Sequence, residues 1–212
     1  MPLLFKEGRT LLSVQGLMQR RLELLDSPDK ELKEVYWNNY FQTSDAIIMH
    51  CTRKFKIVLD SDHLRNLTPQ SKLIHGGLVL TQEVYVCLDG VEFTTKDLES
   101  YANKYLTEAQ VNNNPIWLAL ARDSVLLKEY AAKMFAMGKK YDYDTNMTIY
   151  LAAVAKQPII RSFCSRELAD GARCDVLSDV SLDYVRGRLV GVETLKTQSD
   201  KNLETKIRFS QN

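Results

Sequence analysis

The sequence predicts an α+β protein with an N-terminal helical hairpin, a small central antiparallel sheet, a helical middle and a β-rich C-terminus. Three observations carry this. Apolar residues recur at three- and four-residue spacing from Leu11 to Leu25 and from Asn112 to Lys140, the period of one helix face. Short β-branched runs bounded by turn residues occupy residues 46–93 and the stretch from Val176 onward. The composition is globular, 45% hydrophobic and 26% charged over 212 residues, which is chain enough to bury a sizeable core.

The first helix is read from Leu11, Val14, Leu17, Met18, Leu22 and Leu25, and Asp26-Ser27-Pro28 stops it. Ser27 then caps a second helix, with Pro28 in its first turn and Leu32, Val35, Tyr36 and Tyr40 along it. Two strands follow, Ala46–Cys51 and Phe55–Leu59, joined by a hairpin loop at Thr52-Arg53-Lys54. Gly77–Leu88 reads as a strand because Val84, Val86 and Leu88 alternate with Tyr85 and Cys87, and Asp89-Gly90 turns it into a return strand at Val91-Glu92-Phe93. Thr94 with Asp97 three residues on predicts a capped helix to about Leu106.

The strongest helical signal lies between Asn112 and Lys140. Asn112-Asn113-Asn114 offers an N-cap and Pro115 the first helical position. Trp117, Leu120, Ser124, Leu127, Ala131, Met134 and Gly138 line one face, and Ile116, Leu118, Val125, Leu126 and Phe135 widen it, so this helix is expected to pack on two sides. A further helix is expected from Thr145 or Asn146 through Ala155, and another over Ile159–Leu168, either kinked or opened by Pro158. Beyond Val176, a hairpin turning at Arg186-Gly187-Arg188 and a last strand at Lys206–Phe209 complete the chain. No repeat, low-complexity tract or Pro/Gly-rich linker divides it. Residues 1–212 therefore read as one domain, with 1–110 and 111–212 as sub-lobes.

Lys and Arg total 28 against 27 Asp and Glu, a net charge of +1 that lacks the basic surplus of a phosphate-binding surface. Cys51, Cys87, Cys164 and Cys174 form no C-x-x-C pair and read as free thiols of a reducing compartment. The apolar stretch at Met1–Glu7 is too short for a signal peptide, and no window reaches the length of a membrane span, so a soluble, cytoplasmic protein is expected.

Chemistry-bearing residues are scattered. Asp60-Ser61-Asp62-His63 offers hard oxygens and an imidazole at a strand end, the makings of a divalent-metal hydrolase, against the plainer reading of a helix-capping turn. Tyr141–Asn146 opens like a calcium loop, but Met147 and Ala153 stand where the glycine and glutamate are required, and a loop capping the next helix is preferred. His50, His63 and His75 sit in one quarter of the chain with no nucleophile elbow, and His75-Gly76-Gly77 lacks the pattern of a phosphate loop. Glu193 and Lys196 are spaced to face opposite sides of a strand, which disfavours a metal nuclease. Arg161, Arg166, Arg173, Arg186 and Arg188 are the one basic concentration, a nucleic-acid-binding reading that the interleaved carboxylates dilute.

Tyr36, Trp37, Tyr40 and Phe41 form the densest aromatic patch, wider than one helix face can bury. Its rings must meet another segment of the chain or another chain, and aromatic anchors are enriched at interfaces. The expectation is therefore a non-catalytic protein–protein interaction or assembly component, such as a structural protein of a virus particle. It would engage a protein partner or itself through these four residues and need no cofactor. The alternatives are a metal-dependent hydrolase built on Asp60, Asp62 and His63, and a nucleic-acid-binding module built on residues 161–188.

Overall fold

The computed structural model describes residues 9–50, 54–68, 70–151, 156–166, 168, 174–178, 187–189 and 191–193. The hub of the fold is a ten-residue strand, β2 (Tyr40–Met49), in which every residue after Tyr40 is buried. Along one edge it pairs antiparallel with β8 (Ile159–Ser165), with a register shift between Gln42 and Ala46. On its other edge the C-terminal half pairs antiparallel with β3 (Phe55–Val58), and the N-terminal end pairs parallel with β10 (Gly187–Leu189). The sheet extends through β6 (Val91–Phe93) beyond β3, and through β5 (Gly77–Val79) and β4 (Leu73–Ile74) beyond β8. β9 (Val176–Leu177) also joins β8, and β7 (Ile149–Tyr150) pairs parallel with β9. A separate two-stranded ribbon joins β1 (Arg9–Leu11) to β11 (Gly191–Glu193).

Successive strand residues point to opposite faces, and both faces are covered. Ile47, Met49, Phe55, Ile57, Ile159 and Phe163 enter the main core, whose members run from Leu12 to Val176. Helices α1 (Val14–Leu25), α2 (Lys30–Trp37), α5 (Thr95–Tyr101), α6 (Glu108–Asn112), α7 (Pro115–Ala121) and α8 (Ser124–Gly138) supply much of the rest of that core. Ala46, Ile48, Val58 and Ile160 face the other way. They pack against Leu64 of α3 (Asp62–Arg65) and against Leu80 and Tyr85, the latter in α4 (Gln82–Cys87).

The α+β class holds, with local revisions. The stretch expected as one helix over 112–140 is two, because Arg122 takes a left-handed conformation (φ 59°) and Asp123 caps a new helix by accepting from the Val125 N–H at 2.7 Å. Ile159–Leu168 is not a helix. Its first seven residues form β8, where both faces are buried and no polar alternation survives to mark the strand. The expected strand Gly77–Leu88 breaks after Val79, and Thr81 caps α4 through the Val84 N–H. Tyr40 belongs to β2 rather than to the second helix, which Asp29 caps instead of Ser27. The helix expected from Thr145 or Asn146 is replaced at Ile149–Tyr150 by β7. Gly187 and Arg188 lie in β10, not in a hairpin turn. The loop at 52–53, the strand at 206–209 and the polar run 198–202 lie outside the described residues.

The capping expectations at Thr94/Asp97 and Asn114-Pro115 hold. Thr94 and Asp97 exchange both bonds of the capping box. Asn114 Oδ1 accepts from the Ile116 and Trp117 N–H groups at 2.9 and 3.1 Å.

Candidate functional site

Three of the four aromatic residues expected to form an interaction surface are core. Phe41 is 1% exposed, Tyr36 7% and Trp37 9%. Tyr36 stacks on Phe41 with ring centroids 5.3 Å apart, and Lys33 Nζ lies 5.6 Å from the centre of the Trp37 ring. Their width is explained by α2 and the start of β2 closing on the same core, so these three rings meet their own chain. That corrects the expectation for Tyr36, Trp37 and Phe41 as a docking surface.

Tyr40 differs. It is half-buried at the start of β2 and lies near three other half-buried residues from distant segments: Tyr105 after α5, Tyr150 of β7 and Arg166 at the end of β8. Tyr105 and Tyr150 meet edge to face with centroids 6.3 Å apart. Beneath them lies Asp175, 0% exposed, which accepts from the Thr148 N–H at 3.3 Å and pairs with Arg166 at 3.4 Å. Burial pulls the Arg166 guanidinium down, but the neighbouring Tyr40 phenol, the Asp175 carboxylate and the Tyr105 phenol outweigh it and hold the group above its ordinary value. Desolvation, aided by the Tyr105 hydrogen bond, pushes the Tyr150 phenol up to about 12. Tyr150 therefore presents a neutral O–H group beside the Arg166 cation at neutral pH. Periodicity could not reveal this surface, since its parts come from four separated stretches of chain.

Asp60, Asp62 and His63 do not gather. Asp60 has a positive φ (50°) just after β3. Its Oδ1 accepts from Ser44 Oγ and its Oδ2 from Arg122 Nη1, both at 2.7 Å. Arg122 Nη2 reaches Asp45 Oδ1 at 2.5 Å. Asp45 sits at the register shift of β2, wholly buried, and also accepts the backbone N–H groups of Val14 at 2.8 Å and Asp60 at 3.1 Å. One carboxylate thus ties the start of α1, the end of β3 and the α7–α8 junction together. Burial raises the Asp45 pKa despite these donors. Burial also acts to raise that of Asp60, but Arg122 and Ser44 prevail and hold it below the usual carboxylate value. The Asp62 side chain is 83% exposed and its carboxylate lies 3.7 Å from Arg65. Among the described residues, no group of three or more His, Cys, Asp or Glu side chains is placed to hold a metal. Asp60, the carboxylate on which the hydrolase reading rested, is engaged by Ser44 and Arg122 instead of sharing a site with Asp62 and His63.

The arginine cluster does not form a basic face among the described residues. Arg161 is buried and donates to the His75 carbonyl, and Arg166 pairs with Asp175. Arg173 and Arg186 lie outside the described residues. His75 and Gly76, both at positive φ, make the tight turn between β4 and β5. His50 Nε2 lies 2.8 Å from Gln82 Oε1, and its ring stacks on Tyr85 at 4.5 Å. Asn146 caps no helix. It is buried, and its Oδ1 accepts from the Met147 and Cys174 N–H groups at 2.8 Å each. Cys87 and Cys174 are free thiols, and burial pushes Cys174 up to about 11.

Between β1, α1 and the β3–α3 segment lies a cleft of about 590 Å³, with Thr10, Ser13, Gln19, Arg20, Asp60 and Arg65 on its walls. No described helix is long and apolar enough to cross a membrane.

No protein-family model matches the sequence, and no curated protein matches it either. A solved structure described as "Accommodation of massive sequence variation in Nanoarchaeota by the C-type lectin fold" matches 88% of this chain and 85% of its own, with a TM-score of 0.57 at 12% identity. The fold of this chain is similar to the C-type lectin fold. At that identity the likeness is one of architecture.

Proposed function

We propose that this chain is a non-catalytic recognition component that binds a protein partner through Tyr40, Tyr105, Tyr150 and Arg166, as part of a larger assembly such as a virus particle. The observation that carries this reading is the convergence of three half-buried tyrosines and one arginine over a single buried carboxylate. Tyrosine supplies large, rigid contact area with a hydrogen-bonding tip at small entropic cost, and arginine adds a planar set of donors. The fold supports the same reading. The similar solved structure is described as one in which the C-type lectin fold accommodates massive sequence variation, and a scaffold that tolerates a changing surface suits recognition. The free, buried thiol of Cys174 suits a reducing compartment such as the cytoplasm.

The test is size-exclusion chromatography with light scattering on the full chain, alone and mixed with fractions of its native cell extract. Wild type is expected to shift from the 24.3 kDa monomer position into a larger species. Tyr105→Ala/Tyr150→Ala, which leaves the Arg166–Asp175 pair in place, is expected to stay monomeric while unfolding at the same temperature within a few degrees. A wild-type chain that remains a monomer in every mixture, or a double variant that assembles as well, would overturn the proposal.

A further inference from the structure

The cleft beside α1 stands apart from the tyrosine surface and has its own chemistry. Its two cations are held very differently from Arg122. Arg122 makes bonds of 2.5 and 2.7 Å to Asp45 and Asp60. Arg65 reaches Asp60 only at 3.5 Å and Asp62 only at 3.7 Å, beyond the roughly 2.7–2.9 Å of a charge-assisted bond. The reason lies in Asp60, whose two oxygens already take short bonds from Ser44 and Arg122. Arg65 Nε is shut away from solvent and has no hydrogen-bond partner among the described residues. Arg20 donates to Glu23 at 2.8 Å, but the Glu23 side chain is 60% exposed, and an exposed pair of this kind holds its partners weakly.

We propose that this cleft binds a polar ligand through an oxyanion, a carboxylate or a phosphate, seated on the Arg65 guanidinium with Arg20 as the second cation. Two oxygens of a carboxylate or of a phosphate can accept side by side from the guanidinium fork, and the ligand would complete the donors of Arg65 that Asp60 leaves short. The cleft volume of about 590 Å³ is that of a small-molecule site rather than of a single ion. Glu23, Asp60 and Asp62 oppose the anion, so simple probes should bind at millimolar rather than micromolar concentration, and selectivity should come from polar groups such as Thr10, Ser13 and Gln19.

Titration of the full chain with inorganic phosphate and separately with acetate, at ionic strength matched by potassium chloride, tests this by NMR. A saturable shift of the Arg65 Nε–H signal and of the Ser13 and Gly16 amides is expected with at least one of the two anions and not with chloride. Saturation by phosphate alone assigns a phosphate-bearing ligand; saturation by acetate alone assigns a carboxylate. Arg65→Gln is expected to weaken the response about tenfold, the loss of one charge-assisted contact, and Arg65→Lys to restore part of it. Arg20→Gln, at a more exposed position, gives the same reading should Arg65→Gln fail to fold. No saturable response to either anion beyond chloride, or titrations unchanged in both glutamine variants, would overturn the assignment.

Discussion

Replacing Arg122 by alanine should expose how much the fold depends on one buried carboxylate. Asp45 is 0% exposed, and Arg122 is its charged partner, with its own side chain 24% exposed. Removing one partner of a buried pair typically costs ~3–5 kcal/mol, because the other charge stays buried and unpaired. Two features point to the lower end. The Arg122 side chain is partly solvated, and Asp45 keeps the amide donors of Val14 and Asp60. The expectation for Arg122→Ala is therefore a loss of about 3 kcal/mol. The backbone separates this effect from strain. Arg122 sits at φ 59°, where a side chain costs ~1–2 kcal/mol that glycine avoids, so Arg122→Gly should be about 1 kcal/mol less harmful than Arg122→Ala. Adding Asp45→Asn to Arg122→Ala removes the orphaned charge and should recover more than half of the loss. The assay is urea unfolding followed by Trp37 and Trp117 fluorescence, compared at constant m-value. A loss below ~0.5 kcal/mol for Arg122→Ala, within the range of ordinary surface changes, or strictly additive single and double variants, would refute the reasoning.

Two further outcomes follow from the same geometry. In Gly90→Ala the new Cβ would lie 2.4 Å from the Ile57 carbonyl oxygen and 2.7 Å from Lys56 Cγ, so a loss of about 2 kcal/mol is expected in urea unfolding; Gly16→Ala meets only the tip of Leu12 at 2.9 Å and should be near neutral, because helix propensity offsets the contact. The acid response should split between the two aspartates. Asp60 is depressed, so its stabilisation is present above the unfolded value near ~3.9 and is lost as pH falls through the folded value; Asp45 is raised, so its contribution is present in acid and is lost as pH rises through its folded value. Relative to wild type, Asp45→Asn should steepen the loss of stability from about pH 6 to 3 and Asp60→Asn should flatten it, and matching urea midpoints across that range in all three proteins would contradict both assignments.

Two helix starts were legible because their signals are local. The Thr94–Asp97 box and the Asn114-Pro115 cap each lie within four residues, and the structure forms both. Asp123-Ser124 carried an equally local cap, hidden because the apolar spacing runs on across Arg122 without a break. Ile159–Ser165 was misread for a different reason. A strand covered on both faces loses its alternation, and Arg161 and Ser162, which look like a polar face, are buried within the sheet. Aromatic density at 36–41 reported core closure, not a surface, since burial of Trp37 and Phe41 depends on segments far away in sequence. The same distance conceals the proposed recognition surface. Tyr40, Tyr105, Tyr150 and Arg166 share no spacing, and the Asp175 beneath them is unremarkable until β8 and β9 pair.

The ribbon joining Thr10 to Val192 has a consequence for how the chain is made. A ribosome delivers the first strand long before its partner, and at ~5–20 residues per second the wait is roughly 10–40 s. β2 faces a shorter delay of the same kind for Phe41, whose neighbours are Ser165 on one edge and Arg188 on the other. A nascent chain stalled before residue 187 would carry two open strand edges, the condition under which chains pair with the wrong neighbour and in which a chaperone finds its grip.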